Sequence, residues 1–102
     1  MFWTYMLECA DGSYYVGHSE DLEYRLAQHA SGTFRNCYTY KRRPLRLIWS
    51  QAFPGRVEAL EAERRIKGWS RAKKQALVAG DWGRINQLGR GKHRHERAAV
   101  SS

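Results

Sequence analysis

The first part of the chain shows two short apolar segments that are separated by a turn. Residues 2–8 (FWTYMLE) and residues 13–18 (SYYVGH) are rich in aromatic side chains, and Asp11 and Gly12 stand between them. Two such segments around an Asp-Gly pair are typical of a β-hairpin. Alternation along residues 2–8 creates two faces, and the sequence leaves open which face meets the core.

A helical pattern follows the hairpin. Ser19 or Asp21 is a suitable N-cap, and Gly32 is a suitable C-terminal stop after Ala30. The apolar stripe of this helix consists of Leu22, Leu26 and Ala30. Arg25 and His29 are four residues apart, so we expect both side chains to lie together beside the stripe.

The remaining chain alternates between irregular, extended and helical patterns. Residues 33–43 look irregular and basic, and residues 45–53 (LRLIWSQAF) alternate as a third strand. Helical spacing returns in residues 57–69 and 71–79, and residues 81–88 suit a short last turn. Three strands and several helices predict the α+β class.

One residue of the second helix is out of place. Glu63 stands three residues after Leu60 and three before Ile66, so it lies near the inward stripe, whereas Glu58 and Glu61 fall on more polar sides. A carboxylate that is partly removed from water needs a cation or a metal beside it. A simple ion pair is one alternative, because Lys67 follows four residues later.

Composition limits the class of protein and its partners. The 102 residues suit one compact domain, and the formal net charge of +8 with a pI near 9.9 indicates a polyanionic partner such as nucleic acid. Cys9 and Cys37 are too far apart for a CxxC metal or redox pair, which favours a reducing compartment. The chain start lacks the pattern of a signal peptide, so we expect a cytoplasmic protein.

Aromatic and basic residues alternate in the irregular segment and continue in the later helices. Such mixing suits stacking on bases together with contacts to phosphates. There is also an interpretation without a ligand, in which the aromatic residues are buried in the loop and the basic residues belong to solvent-exposed helix faces. The candidates are Arg35, Tyr38, Tyr40, Lys41, Arg42, Arg43, Lys67, Arg71, Lys73 and Lys74.

Two phenols on a hairpin that leads to a cation and an imidazole could surround one phosphate. The order of TYM at residues 4–6, YVG at 15–17, Arg25, His29 and Glu63 resembles the GIY-YIG nucleases, and specifically their small standalone bacterial members. The resemblance covers residues 2–78, and TYM keeps only the tyrosine of the first motif. It implies a three-stranded antiparallel sheet flanked by helices, with a nuclease domain over 1–80 and a short helix plus a mobile basic tail over 81–102.

The resemblance also implies a chemistry. It implies an endonuclease that cuts DNA, in repair or processing, with one Mg²⁺ or Mn²⁺ ion held by Glu63. Arg25 would neutralise charge on the phosphate oxygens. Tyr5 would orient or deprotonate the attacking water, and Tyr15 would hydrogen-bond the same water or the phosphate.

Two histidines compete for roles in proton transfer. His29 has an ordinary pKa nearer neutrality than Tyr5, so the identity of the general base stays open between them. His18 occupies a position where some family members, such as excision-repair nucleases, carry a lysine, and it would assist proton transfer or contact phosphate.

Other functions fit the same composition. The main alternative is a catalytically weak module that binds DNA or RNA through its basic face, and a weaker one is a basic structural or ribosome-associated protein. Each tyrosine alone is more often a packing residue, and Arg25 with His29 could form a solvated helix face. We expect a monomer, with a separate targeting protein as a further partner.

Overall fold

The computed structural model describes residues 1–95, and the side chains of residues 1–88. Its elements form an α+β fold with a three-stranded antiparallel sheet, which confirms the predicted class. The elements are β1 (Phe2–Glu8), β2 (Tyr14–Ser19), α1 (Leu22–Ser31), a 3-10 turn (Tyr40–Arg42), β3 (Arg46–Phe53), α2 (Arg56–Lys67), α3 (Arg71–Ala79) and α4 (Trp82–His95). None of the helices in residues 1–95 is long and apolar enough to span a membrane.

Strand β1 lies in the centre of the sheet, which has the order β2-β1-β3. Four successive β1 residues, 4–7, are all buried, so both faces of the strand are covered. Alternation could not identify a core face because β1 has no solvent face. On one side, the Thr4 hydroxyl donates a hydrogen bond of 2.7 Å to the carbonyl of Ala59 in α2. This contact attaches α2 to the sheet one turn before Glu63.

Helix α1 begins and ends at residues that the sequence identified. Of the two candidate N-caps, Asp21 accepts a hydrogen bond from the backbone of Tyr24, and Gly32 ends the helix with φ of 78°. Its buried face is different from the predicted one. Ala30 is exposed, and His29 is the buried residue of the helix. A buried imidazole needs hydrogen-bond partners, and these belong to the site described below.

The segment between α1 and β3 is attached to the turn of the β1-β2 hairpin. Arg42 donates through Nε to Asp11 Oδ2 at 3.1 Å, and its carbonyl accepts from the Ala10 backbone N–H at 2.8 Å. The other carboxylate oxygen of Asp11 accepts from Ser13. The predicted irregular segment therefore has a defined position beside the hairpin.

The chain groups into two units, the first spanning Met1–Gly68 and the second beginning at Trp69. The sequence predicted a domain boundary after residue 80, whereas the boundary between these two units precedes α3. Helix α4 continues to His95, well past the predicted end at residue 88. Gly89 and Gly91 disfavour a helix in the sequence. Extension of an existing helix by one residue needs no new nucleation step, however, so α4 continues through both glycines. Residues 96–102 of the predicted mobile tail lie outside the described residues.

Candidate active site

Tyr5 and His29 form the buried centre of the site. The Tyr5 side chain is fully buried, and its hydroxyl oxygen lies 2.9 Å from His29 Nε2. The other ring nitrogen of His29, Nδ1, lies 3.0 Å from the hydroxyl oxygen of Thr39. His29 and Thr39 are only 3% and 1% exposed. The imidazole is thus held between a phenol from β1 and an alcohol from the loop after α1.

Gly17 provides the space that the Tyr5 hydroxyl occupies. The two residues are cross-strand partners in β1 and β2. A Cβ atom at Gly17 would lie 2.7 Å from the Tyr5 hydroxyl oxygen and 3.2 Å from the ring of Tyr15. Both distances are shorter than ordinary carbon contacts. The YVG segment therefore needs a glycine at this position, because the Tyr5 side chain lies too close to leave room for a Cβ atom.

Substitution of Gly17 tests this packing. We expect Gly17→Ala to lower the free energy of unfolding by about 1–3 kcal/mol, because the extra methyl group overpacks a buried ring. Urea denaturation measures the change. Gly68→Ala is the matched control, since its Cβ would meet no atom closer than 3.6 Å, and it should be close to neutral. Equal stability of the two variants would contradict the assigned role of Gly17.

Burial and charge determine the protonation states at this centre. Burial raises the pKa of Tyr5 to about 12, although Arg25 partly opposes the shift through its charge and a hydrogen bond. Burial lowers the pKa of His29, and the nearby charge of Arg25 lowers it further. At neutral pH Tyr5 is therefore a phenol and His29 a neutral imidazole.

Tyr15 lies beside the same imidazole. Its ring centroid is 5.2 Å from that of His29 in an edge-to-face arrangement and 6.4 Å from that of Tyr5. Burial raises the pKa of Tyr15, and the charges of Tyr5 and Cys37 and a hydrogen bond to Cys37 raise it further. Tyr15 is thus also a phenol at neutral pH.

Arg25 approaches both Tyr5 and His29 and has an unused donor. Its guanidinium carbon lies 5.3 Å from the centroid of Phe34, whose ring also contacts His29. Its Nε atom is buried and makes no hydrogen bond to the described part of the protein. Buried donors without partners are rare in folded proteins, and one beside a phenol and an imidazole is well placed for an oxyanion.

Glu63 lies on the other side of the hairpin, with His18. His18 is the cross-strand partner of Thr4, so both face α2. The Nδ1 atom of His18 donates to Glu63 Oε1, and the ammonium of Lys67 donates to Oε2 at 2.7 Å. Burial alone would raise the pKa of Glu63, but the hydrogen bonds from Lys67 and His18 outweigh it and lower the pKa. Glu63 is therefore ionised at neutral pH.

The two groups of residues meet at the edge strand β2. His18 from the Glu63 side and Arg25 from the Tyr5 side line one open cleft of about 290 Å³. The other lining residues are Phe2, Ser19, Glu20 and Arg56. The charge of Glu63 also contributes to the raised pKa of Tyr5 and Tyr15. The structure thus groups Tyr5, Tyr15, Arg25 and His29 on one side of the hairpin and His18 with Glu63 on the other, and of these six residues only His18 and Arg25 line the cleft.

A family model described as the GIY-YIG catalytic domain matches residues 1–76 of the chain. The protein belongs to the GIY-YIG family. GIY-YIG domains form a nuclease superfamily, so membership supports an endonuclease kind of activity and a nucleic acid substrate.

Similar GIY-YIG proteins occur in bacteria and archaea. The UPF0213 protein BH0048 of Halalkalibacterium halodurans is 44% identical over 77 residues, which are 76% of this chain and 81% of that protein. UPF0213 protein VNG_2274C of Halobacterium salinarum is 42% identical over 77 residues, 76% of this chain and 99% of that one. The solution NMR structure of UPF0213 protein BH0048 from Bacillus halodurans is similar with a TM-score of 0.51 and 44% identity, and covers 78% of this chain and 84% of its own.

GIY-YIG nucleases generally use divalent metal ions. Among the residues that the structure describes, no three His, Cys, Asp or Glu side chains gather as a complete ligand set. The donors nevertheless fit Mg²⁺, which is commonly held by one or two carboxylates and keeps several waters. Glu63 is ionised, and the half-exposed side chain of Lys67 can turn to solvent and release Oε2. The alternative predicted for Glu63, an ion pair with Lys67, is present in the same structure.

The aromatic and basic residues of the GIY-YIG domain's loop contact one another. The guanidinium of Arg42 lies 3.8 Å from the centroid of the Tyr38 ring, and that of Arg43 lies 4.7 Å from the centroid of Tyr40. Tyr38 also stacks at 6.4 Å on Tyr15. Neighbouring protein groups therefore contact the Tyr38 ring, which limits its use as a platform for a base.

The other nucleic-acid candidates lie in different surroundings. Arg35 and Lys41 are exposed in the same loop. Arg71, Lys73 and Lys74 belong to the second unit, where the ammonium of Lys73 lies 4.3 Å from the centroid of the Trp69 ring. Burial lowers the pKa of Lys74, and the charge of Arg71 lowers it further.

Three residues that contact the centre were not predicted as part of it. They are Phe34, Cys37 and Thr39. No sequence signal separates Thr39 from an exposed loop residue, because its burial depends on how residues 33–43 fold against the hairpin. The clustering of aromatic residues in that loop was the one available indication that it lies against the GIY-YIG core.

Proposed function

We propose that the protein is an endonuclease that hydrolyses phosphodiester bonds in DNA with one Mg²⁺ or Mn²⁺ ion, in repair or processing. The observation that supports this best is the buried Tyr5–His29 pair beside Arg25, whose Nε has no hydrogen-bond partner among the residues that the structure describes. The ionised Glu63 accepts a hydrogen bond from His18, which lines a cleft together with Arg25. The phenol and the imidazole are suited to proton transfer, and the guanidinium is suited to stabilising negative charge on a phosphate. The carboxylate is suited to holding a metal ion.

Tyr5 and His29 act in sequence in this proposal. Both side chains are buried, and in this proposal the Tyr5 oxygen, which is also approached by Arg25, is the atom that meets the attacking water. The proton of water passes to the Tyr5 oxygen while the Tyr5 proton passes to His29 Nε2, 2.9 Å away. The water oxygen forms the new bond to phosphorus, the bond to the leaving oxygen breaks, and that oxygen takes a proton from solvent. The neutral imidazole is the final base, which suits its lowered pKa.

The other residues hold the phosphate and the ion. Arg25 donates to the non-bridging phosphate oxygens, and a permanently charged planar donor suits this role. Glu63 holds the ion, oriented by the hydrogen bond from His18. When bound, the ion supplies charge stabilisation to the phosphate and the leaving oxygen. Tyr15 contacts the phosphate or keeps His29 in place through its ring.

The remaining proposals concern binding. We propose that DNA contacts the exposed Arg35 and Lys41 of the loop, together with four basic side chains of the later helices, Lys67, Arg71, Lys73 and Lys74. Both cysteines are free thiols, which supports a reducing, cytoplasmic location. One domain with one site cuts one strand, so we propose a monomer that a separate protein directs to its target.

Arg25→Lys tests the function. We expect the wild type to cut labelled duplex, single-stranded or branched DNA with Mg²⁺ or Mn²⁺, and EDTA to stop it. The variant keeps the charge but loses the planar donor, so kcat should fall by roughly 10²–10³-fold. Gel assays under single-turnover conditions measure the rates.

Arg64→Lys is the matched control, since Arg64 is an exposed residue of α2 and should keep the wild-type rate. A wild type that binds DNA in a salt-dependent way and cuts none of the three substrates would favour the alternative, a nucleic-acid-binding module. Equal weak cutting by wild type and Arg25→Lys would indicate a contaminating nuclease and count against the proposal.

A further inference from the structure

Thr39 is a buried residue with a direct contact to His29 that the proposed mechanism leaves without a role. We propose that Thr39 is a positioning residue which, with Cys37 as acceptor of its hydroxyl proton, holds His29 in the tautomer that carries its proton on Nδ1. This tautomer leaves the lone pair of Nε2 facing the Tyr5 hydroxyl. The tautomer is a property of the protein alone, and its effect on catalysis rests on the proposed nuclease activity.

The first step concerns the single proton of the Thr39 hydroxyl. The hydroxyl donates to Cys37 Sγ at 3.5 Å, a distance suited to sulfur as acceptor. Its oxygen also lies 3.0 Å from His29 Nδ1. Because the hydroxyl has only one proton, its contact with His29 must be one in which Nδ1–H donates and the oxygen accepts.

The surroundings of Cys37 support a hydrogen bond in which the Thr39 hydroxyl donates to the sulfur atom. Burial would raise the pKa of the Cys37 thiol, but hydrogen bonds from the Thr39 side chain and backbone and from Tyr15 outweigh it and lower the pKa. Several donors thus point at the sulfur atom. A Thr39 hydroxyl that donates toward the sulfur agrees with this arrangement, and one that donates toward His29 would not.

The second step concerns the other end of the imidazole. His29 is neutral and therefore carries one N–H. Tyr5 keeps its proton, since its pKa is about 12. A Tyr5 hydroxyl that donates to His29 needs an unprotonated Nε2, which agrees with the proton of His29 on Nδ1. The Thr39 end sets the direction of hydrogen bonding, and the Tyr5 end is compatible with it.

The loop holds Thr39 in place from several points. Its carbonyl accepts from the Arg42 backbone N–H at 3.0 Å, and the Arg42 guanidinium donates to the carbonyl of Tyr38 at 2.8 Å. The same guanidinium is paired with Asp11 in the hairpin turn. The hairpin that carries Tyr5 and Tyr15 therefore also positions the residue that orients His29.

The groups that surround His29 determine what a change of tautomer would do. Arg25 approaches from its own helix, Tyr5 from β1 and Tyr15 from β2, and the loop contributes Phe34 and Thr39. Of these, Arg25 is cationic and disfavours the imidazolium. With the proton on Nε2, the ring would present a donor to Tyr5, and the Tyr5 proton would have no acceptor at that nitrogen.

The test measures the tautomer directly. Ring ¹⁵N spectra of the whole protein without substrate, with His29 assigned by its loss in His29→Gln, distinguish a protonated nitrogen from one with a lone pair. We expect wild type and Thr39→Ser to show the lone pair on Nε2, and the nearly isosteric Thr39→Val to show a mixture of tautomers.

With DNA and Mg²⁺, kcat of Thr39→Val should fall roughly 10- to 100-fold, the range for residues that orient a catalytic group. Its KM should stay unchanged, and Thr39→Ser should restore kcat.

Cys37→Ala provides a second variant. Without the sulfur acceptor, the Thr39 hydroxyl is able to donate to Nδ1, so this variant should also shift His29 toward the Nε2-protonated tautomer. A wild-type tautomer in both Thr39→Val and Cys37→Ala would overturn the inference, as would a proton on Nε2 in the wild type. An inactive wild type would overturn the proposed function instead, while the spectra would still decide the tautomer.

Discussion

Replacement of Glu63 by glutamine should reduce metal-dependent cleavage by roughly 10³-fold or more, the largest effect that we expect. Glutamine preserves the size of the side chain and removes its charge. The neutral amide is a weak ligand for Mg²⁺, which prefers carboxylate and water oxygens. Single-turnover cleavage over a range of Mg²⁺ concentrations measures the loss, and a higher ion concentration should restore only part of the rate.

Glu61→Gln is the matched control, because Glu61 is an exposed carboxylate on the same helix. It should cut as fast as the wild type at every Mg²⁺ concentration. If Glu63→Gln kept the wild-type rate and metal dependence, Glu63 would not hold the ion. If both variants lost activity, general charge on α2 would be responsible and the specific role of Glu63 would be wrong.

The acid stability of Glu63→Gln gives a readout independent of activity. The pKa of Glu63 is lower in the folded chain than its ordinary value, so its ionised pairs with His18 and Lys67 stabilise the fold above that ordinary value. This contribution disappears as the pH falls through the folded pKa. The variant lacks the ionised carboxylate, so we expect its stability to fall less steeply over the same acidic range.

Tyr5→Phe should have the second largest effect, a fall in kcat of roughly 10²–10⁴-fold. The ring is kept and still fills the buried space beside Gly17, so the fold should persist. The hydroxyl is lost, and with it the atom that meets the attacking water and passes a proton to His29 Nε2. Cleavage rates in Mg²⁺ measure the effect, and circular dichroism measures the fold.

Tyr24→Phe controls for loss of a phenol, since Tyr24 is 64% exposed on α1 and should cut as the wild type does. Tyr15→Phe separates the two buried tyrosines. The Tyr15 hydroxyl is engaged with Cys37, so its loss should cost less than the loss at Tyr5. A Tyr5→Phe variant with the wild-type rate would show that His29 or solvent takes the water proton without Tyr5.

Much of the fold followed from local patterns. The Asp11-Gly12 turn, the alternation in residues 45–53 and the caps at Asp21 and Gly32 appear in the structure where the sequence indicated elements. These features depend on backbone conformation and hydrogen bonds over a few residues, which a local pattern records. The failures were at Ala30, where an apolar residue is exposed, and beyond residue 88, where α4 continues.

Only part of the site could be predicted in the same way. Residue types and their order identified Tyr5, Arg25 and Glu63 as candidates. The choice of general base between Tyr5 and His29 stayed open because it depends on how the two side chains contact each other and on their pKa values in the folded protein. The proposal that they act in sequence uses a distance between β1 and α1 that no local pattern contains.

The sequence by itself determined the elements, their order and the chemical types of the candidate residues, since these are encoded by neighbouring positions. The tertiary structure decided the burial of His29, the close approach of Tyr5 to Gly17, the pairing of Glu63 with His18, and the contact of Thr39 with the imidazole. Each of these joins residues that are distant in the chain, and each depends on how β1, β2, α1 and α2 pack. Protonation states belong to the same class, because burial and the charge of Arg25 act on Tyr5 and His29 only after the chain has folded.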